Sequence, residues 1–74
     1  MKEEDQKILI AFGKKLAQLR TDRGLSQQDL ANKCRMDRRK ISKIENGELN
    51  SRLYTHYVIA NALEIEVQEL FGEL

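Results

Sequence analysis

Apolar residues recur along this chain at intervals of three and four, not two, which is the spacing of helices that each bury one face. Ile8 or Leu9, Phe12, Leu16 and Leu19 form the first such stripe and predict a helix from about Asp5 to Arg23. Gly24 supplies the stop, because a glycine just past the last turn can take left-handed backbone and let Leu25 pack back against the helix. Ser26, with Asp29 three residues on, is a variant of the capping box and opens a second helix over Gln27 to about Cys34, with Leu30 and Ala31 inward. Asp37 is a good N-cap for a third helix to about Glu45, with Ile41 and Ile44 on one side and Asn46-Gly47 closing it. Leu53, Tyr57, Ala60 and Leu63 or Ala62 predict a fourth amphipathic helix capped by Asn50 or Ser51, and a short fifth runs from about Glu66 to Phe71-Gly72. No β-branched stretch alternates with polar residues over strand length, and proline is absent. The expectation is therefore all-α: one five-helix domain over residues 1–74, without repeat or linker, whose second and third helices are joined by a very short turn.

Composition narrows this further. A chain of 74 residues has room for one small core, which excludes a two-domain enzyme, and with four aromatic residues and no tryptophan its stability margin is slim. Oligomerisation would help such a chain. The single cysteine, Cys34, forbids an internal disulfide and a cysteine-based zinc site; it reads as a small core residue and points to a reducing compartment. No segment approaches the ~20 apolar residues of a membrane span, and the polar start Met1-Lys2-Glu3-Glu4-Asp5-Gln6 does not read as a secretory signal. His56 is the only histidine, it sits on a predicted helix, and no acid or nucleophile accompanies it in a recognisable motif. It reads as a core-edge or dimer-face residue, and no enzyme activity, metal, cofactor or small-molecule ligand is expected.

The net charge of +1 says nothing about partners until it is mapped along the chain. Residues 33–43 carry six cations and one acid, whereas residues 45–74 carry one cation and six acids. Lys33 and Arg35 lie at the turn, Arg38, Arg39 and Lys40 occupy the first turn of the third helix, and Lys43 lies one turn beyond Arg39. A charge run taken alone reads as a solvated face. Cations at a helix N-terminus, however, oppose the macrodipole, and a polyanionic partner would relieve that conflict. Arginine at the leading end of a helix in the major groove can donate two bonds to guanine O6 and N7, worth roughly 1 to 3 kcal/mol of discrimination.

The tracts Gly24-Leu25-Ser26-Gln27-Gln28-Asp29-Leu30-Ala31, Ile41-Ser42-Lys43-Ile44-Glu45-Asn46-Gly47, Ala60-Asn61-Ala62-Leu63 and Glu69-Leu70-Phe71 together resemble the helix-turn-helix domain of phage repressors, Cro proteins and their Xre-type relatives. The resemblance spans about residues 8 to 71 and implies a compact lambda-repressor-like domain. It also implies a homodimer on a two-fold symmetric double-stranded operator and a regulator of transcription, which with the reducing compartment and polar start is expected to be cytoplasmic and nucleoid-associated. It places Arg38, Arg39 and Lys43 at base-reading positions, with Lys40 and Ser42 as candidates beside them. Gln27 would bond a phosphate and buttress the first residue of the third helix, and Asn46 would hold phosphate through its backbone amide and side chain. Gln28, Lys33 and Arg35 complete the phosphate-holding set, and Arg20 and Glu45 match a partly buried ion pair tying the first helix to the third.

Some positions depart from the family pattern. Arg35 replaces the usual glycine of the turn and is expected to take a positive φ at some cost, or to reshape the turn. Ser51 replaces a common proline, Glu64 a common glycine, and His56 and Tyr57 stand where aliphatics are usual. The tract Asp37-Arg38-Arg39-Lys40-Ile41-Ser42 faintly resembles the reading helix of restriction-modification controllers. The competing reading is a protein-interaction module on the same fold, antitoxin-like, with Leu70, Phe71 and Leu74 of the acidic C-terminal part as its contact surface. In the dimer reading, the apolar excess near the C-terminus, Val67, Leu70 and Leu74, supplies the subunit contact.

Overall fold

In the computed structural model, residues 3–72 are described, and Leu74 lies outside them. They form five helices and no strand: α1 (Glu3–Asp22), α2 (Gln27–Cys34), α3 (Arg38–Glu45), α4 (Leu53–Ala62) and α5 (Val67–Phe71). Acids fill the first turn of α1 and Arg20 its last, each complementing the helix dipole. Leu9 is half-buried while Ile8 faces solvent, so the inward stripe runs through Leu9, Phe12, Leu16 and Leu19.

The end of α1 is a Schellman closure: the Gly24 amide donates to the Thr21 carbonyl at 2.9 Å and the Leu25 amide to that of Arg20 at 3.2 Å. Ser26 and Asp29 make the reciprocal capping box, with both bonds at 2.9 Å, which satisfies two donors that would otherwise face water at the start of α2. Those bonds hold the Asp29 carboxyl below its ordinary value. Asp37 caps α3 by accepting from the Arg39 amide at 2.8 Å. Between α2 and α3, Arg35 takes left-handed backbone (φ 56°), as its place in the turn requires.

Two features place α1 against α3. A Cβ on Gly13 would lie 2.6 Å from the Ile44 carbonyl oxygen and nearer still to that of Glu45, so only glycine lets α1 cross the end of α3 this closely. Gly47, with φ +75°, abuts Ile10 in the same way. The core between the helices contains Phe12, Leu16, Leu30, Ile41, Ile44, Ile59, Leu63 and Leu70. Cys34 is buried among them, and burial pushes its thiol up, the state of an unreactive core thiol.

The fourth helix departs from expectation. Neither Asn50 nor Ser51 caps it; its N-cap is Arg52, without a side-chain bond, and the Ser51 hydroxyl is buried and unpartnered. Its inward face is Thr55, Ile59 and Ala60, continued by Leu63. Leu53 and Tyr57 point outward, 69% and 54% exposed. The sequence pattern was ambiguous because a threonine occupies an inward site and two large apolar residues occupy outward ones. Leu70, expected on a contact surface, is wholly buried, because α5 folds back onto α1 and α4. Phe71 is partly exposed and stacks on Phe12 at 5.4 Å between ring centres. His56 completes this cluster, edge-on to Phe12 at 4.9 Å and to Phe71 at 5.4 Å.

Candidate nucleic-acid interface

The outer surface of α3 follows from its inner one. Ile41, Ile44 and Glu45 are buried, and at ~100° per residue Arg39, Lys43 and Asn46 lie opposite them, with Ser42 and then Arg38 toward the edge beside Glu45. Arg38, Arg39, Lys43 and Asn46 are exposed and Ser42 is half-buried. They form one stripe along the helix. Lys40 lies at the edge of that stripe, half-buried beside Leu49. Lys33, Arg35 and Gln28 are exposed on α2 and the turn, with the Gln28 amide donating to Asn32 Oδ1 at 2.8 Å.

Beneath α3 a hydrogen-bonded chain fixes its orientation. Arg20 Nε donates to Glu45 Oε2 at 2.7 Å and Nη2 to Oε1 at 3.0 Å, while Nη1 donates to the Leu25 carbonyl at 2.7 Å. The two side chains are only 12% and 5% exposed, so this bidentate pair is a structural tie from α1 to α3, and the Glu45 bond raises the Arg20 pKa further. Gln27 Nε2 donates to Glu45 Oε1 at 3.0 Å, which turns its Oε1 toward the Arg38 guanidinium, 3.5 Å away. Gln27 therefore buttresses Arg38, with its side chain engaged inside the protein. The Gln27–Glu45 bond has no counterpart in the sequence reading, because it links residues 18 apart that meet only once α2 and α3 are packed.

One expected donor is otherwise occupied. The Asn46 backbone amide, assigned to phosphate on the resemblance, donates to the Ser42 carbonyl at 3.0 Å as the closing bond of α3. Only the exposed Asn46 side chain faces outward. At the other end of the helix, Asp37 holds Arg39: Nη2 lies 3.1 Å from Oδ2 and Nε 3.4 Å from Oδ1. The guanidinium keeps the Asp37 carboxyl below its ordinary value. Among the described residues, no group of three or more His, Cys, Asp or Glu side chains could hold a metal ion, and no helix is long and apolar enough to cross a membrane.

A helix packed across a second through a three-residue turn, with the second helix's polar side outward, defines a helix-turn-helix. The chain belongs to the helix-turn-helix domain family, whose pattern matches residues 11–65. It is similar to the restriction-modification controller protein C.AhdI from Aeromonas hydrophila, with 43% identity and a TM-score of 0.84 over 85% of this chain and 96% of that one. A transcriptional regulator from Vibrio cholerae superposes with a TM-score of 0.85 at 28% identity, over 92% of this chain and 38% of the regulator. The immunity repressor protein of Bacillus phage phi105 is 34% identical over 64 residues. That match takes in 86% of this chain and 44% of the repressor, so the chain spans less than half of that relative's length.

Proposed function

We propose that this helix-turn-helix transcriptional regulator binds a palindromic double-stranded operator as a homodimer, each subunit laying α3 in a major groove. The observation that carries this reading is the outward stripe of Arg39, Lys43 and Asn46, with Ser42 and the exposed Arg38 along its edge, set across the helix from a buried face that locks α3 to the rest of the domain. Arg38, Arg39 and Lys43 read base edges, with Ser42 between them. Lys40, on the flank beside Leu49, holds the backbone more readily than it reads a base. Lys33, Arg35, Gln28 and the Asn46 side chain supply phosphate contacts; Gln27 acts mainly by holding Arg38.

The subunit contact falls on α4. Leu53, Tyr54 and Tyr57 are exposed there, Tyr54 by 74%, and Tyr57 borders a hollow also lined by Ile65 and Val67. Exposed tyrosines beside aliphatics are the composition of interface cores. With Leu70 inside the monomer, the alternative partner-binding surface loses its central apolar residue.

Selection of bound duplexes from a random pool, followed by mobility shifts at rising salt, tests the reading. A palindromic consensus with half-sites about one helical turn apart is expected, with affinity falling by nearly one power of salt per neutralised phosphate. Absence of any shift at low salt would favour the protein-interaction module.

A further inference from the structure

We propose that Asp37 is more than the N-cap of α3: it is a specificity-determining positioning residue that presets Arg39 to read guanine. The inference rests on the assignment of Arg39 as a base reader.

The carboxylate cannot swing freely, because Oδ1 is bound by the Arg39 main-chain amide at 2.8 Å. The side chain of that same residue then returns to it, with Nε 3.4 Å from Oδ1 and Nη2 3.1 Å from Oδ2. One carboxylate thus holds both ends of Arg39. A guanidinium has two edges that can make paired bonds, the side edge through Nε and Nη2 and the end edge through Nη1 and Nη2. Asp37 occupies the side edge. What remains is the end edge, two parallel donors that match guanine O6 and N7 and mismatch the donor-acceptor pair of adenine. The arginine's rotamers are restricted before DNA arrives, so less freedom is lost on binding. Asp37 also places a negative charge at the leading end of α3, which disfavours the use of Arg39 as a general phosphate clamp.

The pair contributes little to folding. Its side chains are 79% and 57% exposed, and exposed ion pairs are weak in water. That separates the two roles of Asp37 experimentally. Asp37→Ser keeps a capping oxygen of nearly equal quality but cannot hold the fork. Wild type, Asp37→Ser, Arg39→Ala and the double variant are compared by duplex selection and by titration against operators varied at each position, with thermal melts as a folding control.

The expected result is a guanine contact in wild type that Arg39→Ala abolishes. Asp37→Ser should reduce the guanine preference at that one position by about two- to fivefold, with a melting midpoint within a few degrees of wild type, and the double variant should be no more relaxed than Arg39→Ala. If Asp37→Ser keeps the guanine preference, or tightens all duplexes evenly, Asp37 is a cap alone and the proposal is overturned while Arg39 remains a reader. If Arg39→Ala leaves every base preference unchanged, or the base it reads is not guanine, the assignment of Arg39 itself fails and the proposal falls with it.

Discussion

Four of the described residues hold left-handed backbone, and only two of them, Gly24 and Gly47, are glycines. Arg35 and Glu64 take φ 56° and 60° with a Cβ in place, a conformation that costs an ordinary residue about 1–2 kcal/mol. All four close a helix in the same way: at Glu64, its amide donates to the Asn61 carbonyl and the Ile65 amide to that of Ala60, both at 3.0 Å. The bonds keep the geometry whatever residue supplies it. Glu64→Gly should therefore stabilise the domain by about 1 kcal/mol after the glycine's extra unfolded-state entropy is deducted, raising the melting midpoint by about 4–8 °C in circular dichroism. An unchanged or lower midpoint would show that Glu64 has compensating contacts. Arg35 was legible from its place in the turn, and Glu64 from its departure from a family glycine. Gly13 was not, since its reason is the passage of α3 across α1 and nothing near it in the chain signals that crossing.

At the scale of elements, α1, α4 and α5 meet through Phe12, His56 and Phe71. Burial lowers the His56 pKa from its ordinary 6.5, because charging a ring packed beside Phe12 and Phe71 forfeits hydration. Protonation therefore favours the unfolded chain. Stability is complete above pH 6.5 and falls as pH drops from there toward the folded-state value. Asp29 and Asp37 also titrate below their ordinary 3.8, Asp29 held down by its hydrogen bonds with Ser26 and Asp37 by the side chain and amide of Arg39. Their contribution persists above that pH and is lost as pH falls through their folded values. Urea midpoints measured from neutral to acid pH should thus fall in two stages, and His56→Gln should remove the first while leaving the second. A single stage in both proteins would mean that the ring titrates as it does in water. The caps of α2 and α3 were legible, because each lies within three residues of the amide it serves. The phase of α4 was not, because Thr55 and Tyr57 are each apolar enough to face the core and only the neighbouring helices select between them.

The whole molecule is polar in charge, with the +5 stretch of residues 33–43 opposed by a −5 C-terminal part. In a two-fold dimer joined through α4, a pair of basic reading helices would act together on one duplex. Tyr54→Asp with Tyr57→Asp should leave the domain folded, shift sedimentation to the monomer, and weaken full-operator binding far more than binding to an isolated half-site. Equal losses on both would remove α4 from the subunit contact. The sequence by itself determined the five helices, two of their caps and the cationic stripe of α3, because helical periodicity and capping act between residues a few positions apart. Only the tertiary structure decided that Leu70 is inside and Tyr57 outside, that Gly13 must lack a side chain, and that Gln27 is bound to Glu45. Those outcomes depend on which surfaces of distant helices exclude water against one another, and no local spacing encodes that choice.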